Sequence, residues 1–226
     1  MTSFAPPSAT FVCPTERAIA ARIGGWCFRH RGWLPLPFLI APLLYHGEIT
    51  LLAWLNGFTA ISAGVALRLW AVAAAGSETR RRSRTVHRLV TYGPFAWTRN
   101  PLYVANAIIW VGFSIIAGVH WFVLVNLTMF AFVYSAIVRY EEGVLESIFG
   151  KHYLDYKART PRWFPAPPSA PPSAPPSAPP SAPPSAPPSA PPSAPLEWAV
   201  ARRSERSTLV TYAVIAVLLL AKSLWS

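Results

Sequence analysis

A long apolar stretch at residues 102–138 constrains the fold more than any other feature of this chain. It is long enough to cross a bilayer twice, because a transmembrane helix needs about 20 apolar residues. A turn-like Gly118-Val119-His120 lies near its middle. We therefore predict two helices that form a transmembrane hairpin. The polar residues at its two open ends are expected to lie together at one membrane surface, where ionisable groups usually mark function.

Three further apolar stretches extend this prediction to an all-α, polytopic transmembrane bundle of about five spans. Residues 51–75 form a full-length span, and residues 209–225 form a shorter one. Residues 33–45 are shorter still and contain three prolines, so this stretch either spans with the help of flanking residues or is re-entrant. The composition is typical of a small membrane protein, since 53% of the residues are hydrophobic and ten are Trp.

The distribution of Lys and Arg predicts the orientation. If all five stretches cross, every basic cluster falls on one side, and the opposite loops at residues 46–48 and 118–120 carry no Lys or Arg. The positive-inside rule places the basic side, the N-terminus and the candidate site in the cytoplasm. The formal net charge of +11 favours anionic lipid headgroups over nucleic acid, because the basic residues cluster beside apolar stretches. We expect a multi-pass protein of the lipid bilayer that binds no nucleic acid.

Composition also divides the chain into segments. We predict a cytoplasmic N-terminal segment at residues 1–32, a membrane core at 33–165, a linker at 166–195 and a C-terminal transmembrane segment at 196–226. The linker contains seven consecutive Ala-Pro-Pro-Ser repeats, which favour polyproline II and cannot form a packed core. Cys13 and Cys27 lie near the N-terminus without a second Cys or His pair at metal-ligand spacing, so we predict no metal site.

The polar ends of the hairpin predict a site for a zwitterion. Pro101 suits the first turn of a helix, whose free N–H groups and positive dipole favour a carboxylate. Glu141 and Glu142 follow the hairpin and would favour an ammonium or sulfonium cation. Together they would bind an amino-acid moiety. The alternative is that Arg99 and the two glutamates pair with lipid headgroups or with one another, and the spacing leaves both interpretations open.

The order of these motifs resembles one enzyme family. Residues 87–103 (HRLVTYGPFAWTRNPLY) are followed, across the hairpin, by the Glu pair seven residues before Phe149-Gly150, by Tyr153-x-x-Tyr156 and by residues 161–165 (PRWFP). This pattern resembles the isoprenylcysteine carboxyl methyltransferases and their phospholipid methyltransferase relatives, over about residues 51–165. The resemblance implies a membrane methyltransferase that uses S-adenosylmethionine and a lipidic or small membrane-partitioned acceptor.

The resemblance also implies roles for individual residues. The implied cofactor contacts are His87, Leu89, Val90, Phe95, Asn100, Pro101, Tyr103 and Glu141. Arg99, Tyr103 and Glu142 are candidate catalytic residues, and Arg139 is a candidate for holding an anionic substrate group. The family usually has His where this chain has Asn100, and Asn keeps hydrogen-bonding capacity but cannot carry a proton at neutral pH. A carboxylate acceptor needs no base, whereas an amine would need one.

Two other functions stay open. Related sterol reductases carry a similar Arg-x-Pro-x-Tyr segment and bind a nicotinamide cofactor such as NADPH, although the Glu pair favours the methyltransferase. A non-catalytic membrane adaptor that displays the Pro-rich repeat would not require polar hairpin ends. The acceptor also stays open between a prenylcysteine carboxylate, a phospholipid amine and a thiol. Arg68, inside the second span, either extends to headgroups or pairs with Glu141 or the cofactor carboxylate.

Overall fold

The structure, a computed structural model, describes residues 14–34, 36–45, 50–76, 88–168 and 195–225, with side chains described from residue 22 to residue 223. Over these residues the chain is helical, without strands. It forms seven α-helices: α1 (Pro14–His30), α2 (Leu36–Leu44), α3 (Leu51–Ala75), α4 (Pro101–Ile116), α5 (His120–Phe149), α6 (Lys151–Arg159) and α7 (Trp198–Trp225). A short 3-10 turn, Gly93–Ala96, precedes α4. The predicted all-α class is confirmed. His87 and most of the repeat linker lie outside the described residues.

Three of these helices are long and apolar enough to cross a membrane, namely α3, α5 and the Trp198–Ser223 part of α7. The helix α4 is apolar but shorter, with 16 residues. It ends at Ile116 and α5 begins at His120, which confirms the two predicted helices and the turn between them. The predicted span at residues 51–75 coincides with α3. The chain is an integral membrane protein.

The helix α2 is the weakest of the predicted spans. It has nine residues with Pro42 inside, although the apolar stretch that contains it is longer. At 1.5 Å per residue it rises about 14 Å, roughly half of the hydrocarbon core. The helix lengths therefore do not confirm the predicted number of five spans.

Close glycine contacts join α3 to α4. A Cβ atom built at Gly57 would lie 2.6 Å from the carbonyl oxygen of Gly112, and one at Gly64 would lie 2.9 Å from the carbonyl oxygen of Ala105. The two helices are thus antiparallel and approach each other at their backbones, as small residues permit between membrane helices. This packing brings the C-terminal end of α3 beside the N-terminal end of α4.

The remaining helices pack around this pair. Gly24 of α1 lies against α5, where an added Cβ would meet the carbonyl oxygen of Ala136 at 2.6 Å. After the linker, the backbone N–H of Glu197 donates to the carbonyl of Ala73 at 2.8 Å, and α7 then packs along α3. Gly150 has a φ of +51°, a value that favours glycine, and it turns the chain from α5 into α6. Ends of α1, α3, α4, α5 and α6 therefore meet in one region.

Candidate functional site

The loop before α4 is held in place by two tyrosines. The hydroxyl of Tyr92 donates to the carbonyl of Ala74 at 2.7 Å, and that of Tyr156 donates to the carbonyl of Phe95 at 2.7 Å. Burial raises the pKa of Tyr156 above its ordinary value, so the phenol stays neutral and remains a donor. The loop therefore has a defined shape between α3, α4 and α6.

A buried group of charges connects the two ends of the hairpin. Glu142 is 5% exposed, and its Oε1 accepts from Arg99 Nη2 at 2.9 Å. Arg162 donates from Nε to Oε1 at 3.0 Å and from Nη2 to Oε2 at 2.7 Å. This hydrogen bonding raises the pKa of Arg162, which stays charged. Arg99 and Glu142 thus pair with each other, as one of the two interpretations of the sequence predicted.

Arg99 also binds the chain that follows α6. Its Nη1 donates to the carbonyls of Lys157 at 2.7 Å and Thr160 at 2.8 Å, and its backbone N–H donates to the carbonyl of Pro161 at 2.9 Å. Its Nε is buried without a hydrogen-bond partner among the described residues. Asn100 begins α4 without a side-chain cap, and its Nδ2 instead donates to the carbonyl of Arg162 at 3.0 Å. Residues 99–100 and 157–162 are therefore joined into one wall.

Glu141 points to a different set of partners. Its Oε1 accepts from the hydroxyl of Tyr103 at 3.0 Å and from Nη1 of Arg31 at 3.1 Å. Its Oε2 makes no hydrogen bond within the described part of the chain. The side chains of Arg31 and Glu141 are 29% and 27% exposed. One oxygen of Glu141 is therefore available to a ligand.

These groups surround a cavity of about 440 Å³. Nine of the residues predicted from the sequence line it: Leu89, Val90, Phe95, Arg99, Asn100, Pro101, Tyr103, Glu141 and Glu142. The structure does not bring Arg139 to this cavity, since that side chain is exposed on α5. The predicted contact His87 lies outside the described residues.

The structure adds Arg31, which the sequence did not indicate, and shows the partner of Arg68. Arg31 and Arg68 also line the cavity, but they come from α1–α2 and from the interior of α3. The sequence left Arg68 to headgroups, to Glu141 or to the cofactor carboxylate. The structure shows another partner, because its Nε donates to Oε2 of Glu205 on α7 at 2.6 Å. The sequence feature that could have indicated this pair is Glu205, the single acidic residue among the arginines at 202–206.

A helical bundle with a cavity of mixed charged and apolar lining near its helix ends is the architecture of an integral membrane protein with a candidate site for a small ligand. Residues 52–152 of the chain match the phospholipid methyltransferase family. This match confirms the resemblance seen in the sequence. No solved structure is significantly similar to this chain.

Three relatives show the range of similar proteins. The chain is 30% identical to the cobalt-zinc-cadmium resistance protein CzcN of Cupriavidus metallidurans, over 64% of this chain and 63% of that protein. It is 36% identical to the nickel-cobalt-cadmium resistance protein NccN of Alcaligenes xylosoxydans xylosoxydans, over 34% and 36% of the two chains. It is 32% identical to the protein-S-isoprenylcysteine O-methyltransferase of Mus musculus, over 54% and 45%.

The chain thus spans less than two thirds of the length of each of these relatives. Two of them are named for resistance to metals. Within the described residues, no group of three or more His, Cys, Asp or Glu side chains is placed to hold a metal ion.

Proposed function

We propose that this protein transfers a methyl group from S-adenosylmethionine to a lipidic or membrane-partitioned acceptor. The observation that carries the proposal is the assembly of both hairpin ends around one cavity. Glu141 and Arg99 line that cavity, and among the described residues Glu141 Oε2 and the buried Nε of Arg99 have no hydrogen-bond partner. The family match and the methyltransferase relative agree with this function.

The residues present fit S-adenosylmethionine. The volume of about 440 Å³ falls within the roughly 300–1,000 Å³ typical of small-ligand sites. Glu141 would hold the ammonium group, and the Nε of Arg99 would donate to the carboxylate or to a ribose oxygen. Leu89, Val90 and Phe95 supply apolar surface for the adenine. The ammonium group, the carboxylate and the adenine of S-adenosylmethionine therefore all have candidate partners.

When bound, S-adenosylmethionine supplies a methyl group already activated by the sulfonium. The protein then mainly has to orient both ligands and exclude water. Tyr103 lines the cavity and orients Glu141 through its hydroxyl, so we place Tyr103 and Glu141 in contact with the ligand.

Glu142 and Arg99 serve the site differently. Both oxygens of Glu142 already accept hydrogen bonds from Arg99 or Arg162, which leaves this carboxylate poorly suited to accept a proton. We therefore assign Glu142 a positioning role that fixes the wall of the cavity. Arg99 positions the same wall with its Nη atoms, and its Nε would donate to the ligand. We leave the exposed Arg139 out of the acceptor site.

A labelling experiment tests the function and the acceptor together. Proteoliposomes of the full chain are incubated with methyl-labelled S-adenosylmethionine, and the extracted lipids are treated with mild base. Label released as methanol indicates a methyl ester, whereas base-stable label indicates transfer to nitrogen or sulfur. The proposal predicts labelled lipid with the native protein and strongly reduced label with Glu141→Gln. Absence of label from every lipid extract tested, together with no binding of S-adenosylhomocysteine, would contradict it.

A further inference from the structure

One wall of the cavity comes from the end of α1 and the turn that follows it. Phe28, Arg31 and Gly32 line the cavity there, beside Tyr140 of α5. The rings of Phe28 and Tyr140 lie 5.7 Å apart, centroid to centroid, so this wall is packed directly against α5. Helix α1 precedes the family match at residues 52–152. This chain therefore completes the cavity with a segment that the family match does not include.

Arg31 is the charged group of this wall, and its guanidinium is held from two sides. Its Cζ lies 4.1 Å from the centre of the Phe28 ring, a cation–π contact, and its Nη1 donates to Oε1 of Glu141 at 3.1 Å. The turn that carries it is closed by the backbone N–H of Trp33, which donates to the carbonyl of His30 at 2.9 Å. The Nε and Nη2 of Arg31 make no hydrogen bond to the described residues. A fixed guanidinium thus keeps donors for a further group.

The contact between Arg31 and Glu141 leaves room for a ligand ammonium. Arg31 and Tyr103 both donate to Oε1, so Oε2 of Glu141 is not taken by either of them. A ligand ammonium therefore does not have to displace Arg31 to reach the carboxylate. The nearby guanidinium would nevertheless repel it, because unit charges a few Å apart interact by about 1–4 kcal/mol near a protein surface.

That repulsion is offset only in a ligand that also carries a negative charge close to its ammonium. An α-amino acid has both groups on one carbon atom, so an ammonium bound to Glu141 brings its carboxylate to the neighbouring positive group. The planar fork of Arg matches a carboxylate well. A simple amine has no such compensation and meets the repulsion alone.

We propose that Arg31 is a specificity-determining residue, which binds the carboxylate of the cofactor's amino-acid moiety and, with Glu141, selects a zwitterion over a simple cation. The inference rests on the proposed use of S-adenosylmethionine. It assigns the carboxylate to Arg31 and leaves the Nε of Arg99 for a ribose oxygen.

Calorimetric titration of the full chain in a neutral maltoside detergent tests this assignment with two ligands, S-adenosylhomocysteine and its decarboxylated form, which keeps the amine. Arg31→Gln should lower the affinity for S-adenosylhomocysteine about tenfold, because the lost hydrogen bonds to the carboxylate outweigh the relieved repulsion of the ammonium. The same variant should raise the affinity for the decarboxylated ligand at least about threefold, because Glu141 then acts on the amine without an opposing guanidinium. A residue that only supports the fold would not move the two affinities in opposite directions.

The matched control is Arg29→Gln, which removes an exposed arginine of the same helix that does not line the cavity. It should change both affinities less than about twofold, because charges exposed to solvent are screened. If Arg31→Gln does not unfold cooperatively, Arg31→Lys keeps the charge and loses the fork. It should lower the affinity for S-adenosylhomocysteine at least about threefold more than that for the decarboxylated ligand.

The outcomes separate the inference from the function on which it rests. Equal changes for the two ligands in folded Arg31→Gln protein, tighter binding of both, or the same response in Arg29→Gln would overturn the role of Arg31. Each of these results would leave the proposed cofactor in place. Native protein that binds neither ligand would instead refute the proposed function.

Discussion

The substitution Glu141→Gln tests the part of the site that would hold an ammonium group. Gln has the same shape and can still accept from Tyr103, so the change removes a charge and little else. The free Oε2 would contribute a charge-assisted hydrogen bond of about 1.5–3 kcal/mol to a bound ammonium. Since each 1.4 kcal/mol is a factor of ten, the dissociation constant of S-adenosylhomocysteine should rise roughly ten- to a hundredfold.

Arg31 should lower the ligand affinity of the Glu141→Gln variant further. In the native protein its guanidinium lies 3.1 Å from Oε1 of Glu141, and the two charges offset each other. In the variant the guanidinium is left without its carboxylate and would repel the ligand ammonium. A loss of affinity near the upper end of the range would therefore indicate that Arg31 stays in place.

Calorimetric titration of both proteins in the same detergent measures the effect, and thermal unfolding confirms that the variant is folded. The matched control is Glu146→Gln, on the same helix, which removes a carboxylate that pairs with Lys157 and does not line the cavity. The control should change the dissociation constant less than about threefold, as expected for a half-exposed ion pair. An unchanged dissociation constant in folded Glu141→Gln protein would refute the assignment of the ammonium site.

Further predictions concern stability, the linker and topology. Glu142→Gln leaves two guanidiniums without a carboxylate and should lower the free energy of unfolding by about 3–5 kcal/mol, which corresponds to a fall in Tm on the order of 10 °C. The control Asp155→Asn should change Tm little. Equal Tm values for the two variants would show that the buried charged group does not stabilise the fold. Reducing the seven Ala-Pro-Pro-Ser repeats to two should leave methyl transfer within about twofold, and loss of activity in an inserted protein would show that the repeat is more than a linker. Cysteines placed singly at Gly47 and Ser226, in a variant without Cys13 and Cys27, should both be labelled from outside the cell if five segments cross; labelling at Ser226 alone would make the first segment re-entrant.

The sequence predicted the part of the fold that depends on local pattern. Apolar length alone located α3 at residues 51–75, and the Gly118 turn separated α4 from α5. Pro101 marked the start of α4, because proline suits the first turn of a helix. The meeting of the Asn100 end with the Glu141 end followed from the hairpin, since two antiparallel helices bring their outer ends together.

The remainder depends on contacts between distant residues. Arg31 and Glu141 are separated by 110 positions, and Arg68 and Glu205 by 137. Neither pair follows from spacing, because helix packing through Gly24, Gly57 and Gly64 decides which side chains meet. The sequence also did not predict the different surroundings of the two glutamates. Both oxygens of Glu142 accept from guanidiniums, whereas Oε2 of Glu141 makes no hydrogen bond to the described residues.

Cofactor binding by the purified full chain tests whether the cavity between the hairpin ends binds S-adenosylmethionine. Calorimetric titration in detergent with S-adenosylhomocysteine and, separately, with NADPH distinguishes the methyltransferase from the reductase alternative. We expect a micromolar dissociation constant for S-adenosylhomocysteine and no heat of binding for NADPH. Binding of NADPH with none of S-adenosylhomocysteine, in protein that unfolds cooperatively, would contradict it.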